Sequence, residues 1–261
     1  VVHCFVRHVR RSSSWSTGAI RSCSMYNSKI PRTRAASSSL TISFEPPGIV
    51  ALHLGVVLRR FAHEFVGLQE VQTMLDALER AYPALVKALV PRPVTPNVLT
   101  EVLQRLAEEG ISIRNLKDIL EALAGALAFE KDAVLLTEHV RVALKRYITY
   151  KYARGSNVLG VYVLAPEIEE TIRESIQRTP SGNYLALPPE LSREIVGAIR
   201  REVSAASPGA APPVVLTQMD VRRYVRRLIE IELPDVSVLS YAELDPGVIV
   251  QPIARIGIEQ A

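Results

Sequence analysis

Two hydrophobic periodicities meet at Gly155, and no other feature constrains the fold of this chain as strongly. Before it, apolar residues recur every three or four positions, the spacing of amphipathic helices. After it, short apolar runs alternate with helical stretches, as in strand–turn–helix units. The expected class is α+β: a helical N-terminal half, made of a helix hairpin and a long helix, then a small α/β domain with a sheet of about four strands.

In the helical half, Val57, Leu58, Phe61 and Phe65 share a face, and Gly67 is placed to close that helix. Val71, Leu75 and Leu78 predict a second short helix, and Pro83 opens a third reaching Val90. Three prolines between 91 and 96 exclude a continuous helix, because an interior proline costs about 3 kcal/mol. Thr95 then reads as an N-cap with Pro96 at the first helical position. Val98, Leu99, Val102, Leu103 and Leu106 line that helix, which Gly110 ends. Ser112 reads as the next cap, before a stripe of Ile113, Leu116, Leu120, Leu123 and Leu127. The short connection predicts an antiparallel hairpin. A longer helix is expected from about Lys131 to Lys151, with Leu136, Val140, Ala143, Leu144, Tyr147 and Ile148 inward.

The second half predicts strands at 158–164, 184–187, 214–216 and 236–239, with an edge strand within 248–256. Helices between them carry Ile168, Ile172 and Ile176, then Leu191, Ile195, Ile199 and Val203. Thr217 with Asp220, and Ser240 with Glu243, have the spacing of capping boxes. The expected divisions are 1–47, 48–90, 95–154 and 156–258.

Charge separates the first division from the rest. Residues 1–44 contain seven Arg or Lys and no acid; the whole chain is +4, so the remainder is −3. The basic pI belongs to that stretch, which is expected to be a disordered or spurious extension. No general argument for nucleic-acid binding follows from it.

Chemistry-bearing patterns are few. His63-Glu64 lacks the second histidine of a zinc-protease helix, and neither a phosphate loop nor a nucleophile elbow occurs. Two cysteines build no four-thiolate metal site. Glu108-Glu109 and Glu169-Glu170 are sequence neighbours about 100° apart on a helix, so a solvated face is expected of them. His53, His63 and His139 are expected as satisfied structural histidines. No catalysis, cofactor or metal is expected. Arg222, Arg223, Arg226 and Arg227 form two basic ridges at i,i+4 spacing, suited to an anionic partner or, more simply, to water. Arg114 in a first helical turn would oppose the macrodipole unless Asp118 offsets it.

The stretches HEFVGLQEVQTMLDALERAYPALVKALV, LTEVLQRLAEEGISIRNLKDILEALA and LTEHVRVALKRYI, then GNYLALPPE, VVLTQMDVRRYVRRLIE and PDVSVLSYAEL, resemble the large export-gate subunit of type III secretion systems. The resemblance runs from about Val56 to Ile258 and is nearer to injectisome than to flagellar members. It implies a non-catalytic cytoplasmic domain below an inner-membrane export pore. It implies a nonameric homo-oligomer that meets secreted substrates, export chaperones, a gatekeeper and the stalk of the ATPase complex. The membrane domain and most of the first two cytoplasmic subdomains have no counterpart in this chain. Polar positions on the helices then suggest subunit or partner contacts at Arg105, Glu109, Arg114, Asn115 and Asp118, and at the four arginines of 222–227. The rival readings are a nucleic-acid-binding helical protein and a nonfunctional truncated remnant of the gate.

Overall fold

The computed structural model describes residues 46–179, 182–205 and 212–258. The expected extension, 1–47, lies outside them except for its last two residues. Among the described residues seven α-helices come first: α1 (Pro46–Arg60), α2 (Leu68–Ala81), α3 (Pro83–Leu89), α4 (Pro96–Glu108), α5 (Leu116–Ala126), α6 (Ala133–Ala143) and α7 (Lys145–Ala153). The order then becomes β1 (Val158–Leu164), α8 (Pro166–Glu174), β2 (Ile176–Thr179), β3 (Gly182–Leu185), α9 (Pro189–Ser204), β4 (Val214–Thr217), α10 (Met219–Ile229), β5 (Ser237–Ser240) and β6 (Ile249–Ile256). The change of architecture falls where the periodicity changes.

Local chemistry explains most boundaries. Thr95 Oγ1 accepts the Val98 N–H at 3.4 Å ahead of Pro96, as the sequence predicts. Gly110 turns the chain at φ 68°, a conformation that glycine adopts without a Cβ penalty. Asp132 caps α6 through the Val134 N–H at 2.9 Å. Gly67, expected to close a helix, instead begins α2: its N–H donates to the Glu70 carboxylate at 3.1 Å. The preceding helix stops at Arg60, and Phe61 and Phe65 flank and end a short 3-10 turn. Ser112 does not cap α5, whose N-cap is Asn115. Arg114 therefore lies in the loop and the expected clash with the macrodipole does not arise. The long helix divides at Leu144 into α6 and α7.

The stripes read for α4 and α5 are the ones that pack, whereas Ala143 and Tyr147, expected inward, and Leu58, Phe61 and Phe65 of the first stripe are exposed. Leu99, Val102, Leu103 and Leu106 of α4 and Ile119, Leu120 and Leu123 of α5 are fully buried, and both helices lie against α6. Lys151 Nζ donates to Gly110 O at 2.6 Å, tying α7 to the end of α4.

The four-stranded sheet is parallel in the order β5-β4-β1-β6. Every residue of β4 is buried, as expected of a central parallel strand covered on both faces. Leu159, Val161, Val214 and Leu216 join the core of the helical half, while Leu164, Val215 and Val238 join α8, α9 and α10. One sheet thus serves as a wall for two cores. On the edge strand β6 the register slips at Ile253, beside Pro252, which has no N–H to pair. Ile176 is not helical as expected but opens β2, which pairs antiparallel with β3 outside the main sheet.

Leu120→Ala removes a fully buried side chain at the α5–α6 contact. It should destabilise the fold by about 2–5 kcal/mol, read as a lowered urea midpoint with an unchanged slope.

Candidate functional site

The most concentrated chemistry in the fold is a buried charge network where the helical half meets the sheet. Its members come from four separate places: Glu109 at the end of α4, Glu138 and Arg141 on α6, Arg222 on α10, and Glu243 in the 3-10 turn after β5. The Arg222 side chain is 1% exposed. Its Nη1 and Nη2 donate to the two Glu109 oxygens at 2.7 and 3.0 Å, and its Nε to Glu138 at 2.6 Å, with Nη2 closing the second fork. Arg141, equally buried, donates through Nε and Nη2 to Glu243 at 3.1 and 2.7 Å and through Nη1 to Glu109 at 3.1 Å. Planar forks of this kind are geometry that arginine supplies and lysine does not.

Surrounding groups complete the satisfaction. Ser240 Oγ donates to Glu243 at 3.0 Å. Thr149 Oγ1 on α7 donates to the Glu243 carbonyl at 3.4 Å and accepts the Asp245 N–H at 2.9 Å. Bending the chain at Leu144 lets α6 supply Arg141 and α7 supply Thr149 to the same turn. Nearby, Glu169 is buried and accepts from Thr217 Oγ1 at 2.7 Å and the Gln218 N–H at 2.9 Å.

Chemically, this arrangement joins parts and offers no reactive group. Burial would raise the Glu109 carboxyl, but Arg141 and Arg222 beside it outweigh that and hold its pKa at about 2. At neutral pH it is an ionised acceptor already engaged by two cations, unsuited to proton transfer. Among the described residues, no group of three or more His, Cys, Asp or Glu is placed to hold a metal ion. A surface pocket of about 370 Å³ between the end of α7 and β6 has no carboxylate, imidazole or thiol in its walls.

The predicted contact residues separate into three groups. Glu109 and Arg222 enter the network, so the ridge expected on α10 is not a surface feature along its length. Arg222 turns inward because it shares a face with Val225 and Ile229, three and seven positions on. Arg226 is half-buried and donates to Val236 O at 2.8 Å, while Arg223 lies over the Tyr224 ring at 4.6 Å. Arg227 is exposed. Arg105 pairs with Glu101 at 2.9 Å on a partly exposed face. Arg114 is exposed, as are Asn115 and Asp118, which bond to each other.

Other expectations are corrected by the same network. Glu109 and Glu169 do not belong to solvated faces. Thr217 and Ser240 satisfy buried carboxylates instead of capping helices. His63 Nδ1 is buried without a partner, contrary to the satisfied histidine expected. The residues missed were Glu138, Arg141 and Glu243. Arg141 had a readable signal: Thr137, Leu144 and Ile148 place it on the inward stripe of its helix.

Buried ion pairs thus bolt a helical module to a parallel-sheet module. The chain belongs to the FHIPEP family, which it matches over residues 19–248. That match begins inside the stretch set apart by composition. It is 44% identical over 213 residues to the low calcium response locus protein D of Yersinia pestis, covering 82% of this chain and 30% of that protein. A solved complex of Chlamydia pneumoniae CdsV and CdsO contains a chain that superposes with TM-score 0.76 at 45% identity, covering 82% of this chain and 63% of that one. The nonameric SctV-C of EPEC, solved by cryo-EM, superposes with TM-score 0.73 at 37% identity over 80% of this chain and 63% of that one. The chain is thus a partial cytoplasmic domain of the type III export-gate kind and spans about a third of the curated relative's length. None of its described helices is long and apolar enough to cross a membrane.

Glu109→Gln should cost roughly 2–4 kcal/mol at neutral pH, since two buried guanidiniums lose part of their charge compensation. Because the folded pKa of Glu109 lies below its ordinary 4.5, its contribution is complete above about pH 4.5 and is lost as pH falls toward about 2. Urea unfolding at pH 7, 4 and 2.5 should therefore show the gap between wild type and variant narrowing with acidity. A gap independent of pH would contradict the assignment.

Proposed function

We propose that this chain is the ring-forming and substrate- and chaperone-docking part of a type III export gate, working by contact and without catalysis. The observation that carries the reading is the close superposition on SctV-C, a domain solved as a nonamer, combined with exposed polar groups at the turn between α4 and α5. Arg114 and Asn115 on that turn, Asp118 in the first turn of α5 and Arg105 on α4 offer a neighbouring subunit charges of both signs together with hydrogen-bond donors and acceptors. Arg227, and Arg223 with its stacked tyrosine, provide a second basic surface for subunits or partners. Glu109 and Arg222 contribute indirectly, by holding these two surfaces at a fixed spacing.

The partners of this reading are the export chaperones, the secreted substrates, a gatekeeper and the stalk of the ATPase complex. That CdsV has been solved together with CdsO supports docking of another protein on this kind of domain. Attachment to the inner membrane would belong to portions of the relatives that this chain does not match. Nucleic-acid binding is disfavoured, because two of the four arginines that suggested it are engaged inside the protein.

Arg105→Glu combined with Arg114→Glu, placed at the equivalent positions of a complete homologue, should abolish nine-fold rings seen by electron microscopy. The fold should survive, because both side chains lie on the surface. Unchanged rings would remove these residues from the subunit contact.

A further inference from the structure

Two surface cavities meet at the turn that follows α7. The first, of about 370 Å³, runs along β1 and is bounded by Val158, Gly160, Pro212, Pro213 and Ile253. Gly160 keeps it open, since a Cβ there would fall 3.0 Å from Ile253 Cδ1. Val158 and Ile253 are 41% and 58% exposed. The second cavity, of about 210 Å³, lies between α7 and residues 245–248, with Arg146, Tyr150 and Asp245 in its walls. Ser156 borders both.

The turn between them is built against local preference. Arg154 caps α7 at φ 54° and ψ 36°, a left-handed conformation that residues with a Cβ rarely adopt. Gly155 follows at φ 78°. Ser156 Oγ lies 2.7 and 2.8 Å from the carbonyl oxygens of Ala153 and Val158, which fixes the turn. Strain of this kind persists where the position of a side chain serves more than the fold. The Arg154 side chain lines the first cavity, and among the described residues it makes no ion pair or hydrogen bond. Arg146 is 92% exposed at the side chain, with Asp245 3.6 Å away. Lys151, by contrast, is committed to Gly110 O.

We propose that this turn and its cavities bind an extended segment of another protein that carries an acidic residue beside an apolar one. The apolar side chain enters the first cavity, whose walls hold no carboxylate. The acid pairs with Arg154, and Arg146 is available to a second acid across the turn. Tyr150, 69% exposed, adds the large amphipathic contact characteristic of interface anchors. A nucleic-acid strand fits less well, because Asp245 would repel its phosphates but can accept a peptide N–H. This inference rests on the docking half of the proposed function and gives it a place and a ligand chemistry. It uses residues apart from those offered to the ring.

The test is anisotropy and photo-crosslinking of the full chain with the peptide GSELDELSG, labelled with fluorescein and benzophenone. The comparisons are GSQLNQLSG, which lacks the acids, GSESDESSG, which lacks the leucines, and a short thymidine oligomer. The first peptide should bind tightest, with adducts mapped by mass spectrometry to 146–162 or 245–253. Arg146→Glu/Arg154→Glu should weaken it by about tenfold or more, and Ile253→Glu should weaken it as well. Arg154→Gly, which suits φ 54°, should keep or raise the urea midpoint yet still lose affinity. Residues 1–44 are themselves basic, so adducts confined to that stretch overturn the proposal. Equal affinity for the three peptides, tighter binding of the oligomer, or affinity unchanged in the arginine variants overturns it too. Adducts confined to α10 overturn this placement while leaving the docking reading intact, and ring formation in a complete homologue is read separately.

Discussion

Two guanidiniums sealed against three carboxylates hold this protein in its one arrangement. Arg141 and Arg222 are each about 99% withdrawn from solvent at the side chain, a placement that would be prohibitive for either alone. It is tolerable because Glu109, Glu138 and Glu243 arrive from three different elements with their oxygens already in fork geometry. The formal balance is −1, and Arg226 lies close enough to Glu109 to lower its pKa further. Such networks add little stability over an apolar replacement, but losing one member leaves an uncompensated buried charge. Their value here is in register. Leucines could join α4, α6, α10 and the turn after β5 in several ways, whereas the forks accept one.

The sheet turns that local requirement into a global one. Its two faces belong to different cores, so a shift of the helical half against β1 and β4 would disturb both. The network sits at the C-terminal ends of β4 and β5, where Thr217 and Ser240 leave the strands. Both hydroxyls are spent on buried carboxylates, one on Glu169 and one on Glu243. Parallel strands end together, and their ends are where backbone and side-chain polar groups gather. Polar residues concentrated there can therefore be shared between the sheet and a neighbouring helical layer.

Much of the fold was legible because apolar spacing is dictated by geometry alone. The stripes of α4 and α5 and the strands β1, β4, β5 and β6 follow from periods of 3.6 and 2, with errors of a residue or two at most ends and of three at the start of α5. The polar residues were read less well for a specific reason. A serine or threonine three positions before an acid has the same pattern whether it caps a helix or satisfies a buried carboxylate; only tertiary packing distinguishes them. Thr95 was read correctly because Pro96 fixes the helix start independently. Thr217 and Ser240 had no such second signal. Gly67 shows the same ambiguity, since glycine is compatible with either end of a helix.

Charge on α10 illustrates how far local spacing can mislead about a surface. Arginines at 222 and 226 belong to one ridge, yet the first is interior and the second half-interior, because the helix descends into the layer between sheet and helices. Of their neighbours, turned by roughly 100°, Arg227 is exposed, while Arg223 is half-buried against the Tyr224 ring. A basic helix can thus be both fastener and contact surface, with the division set by the direction of its apolar stripe. The same reasoning separates Glu108 from Glu109 at the end of α4. Any partner therefore meets only the outward member of each charged pair, while the inward member determines where that surface is held.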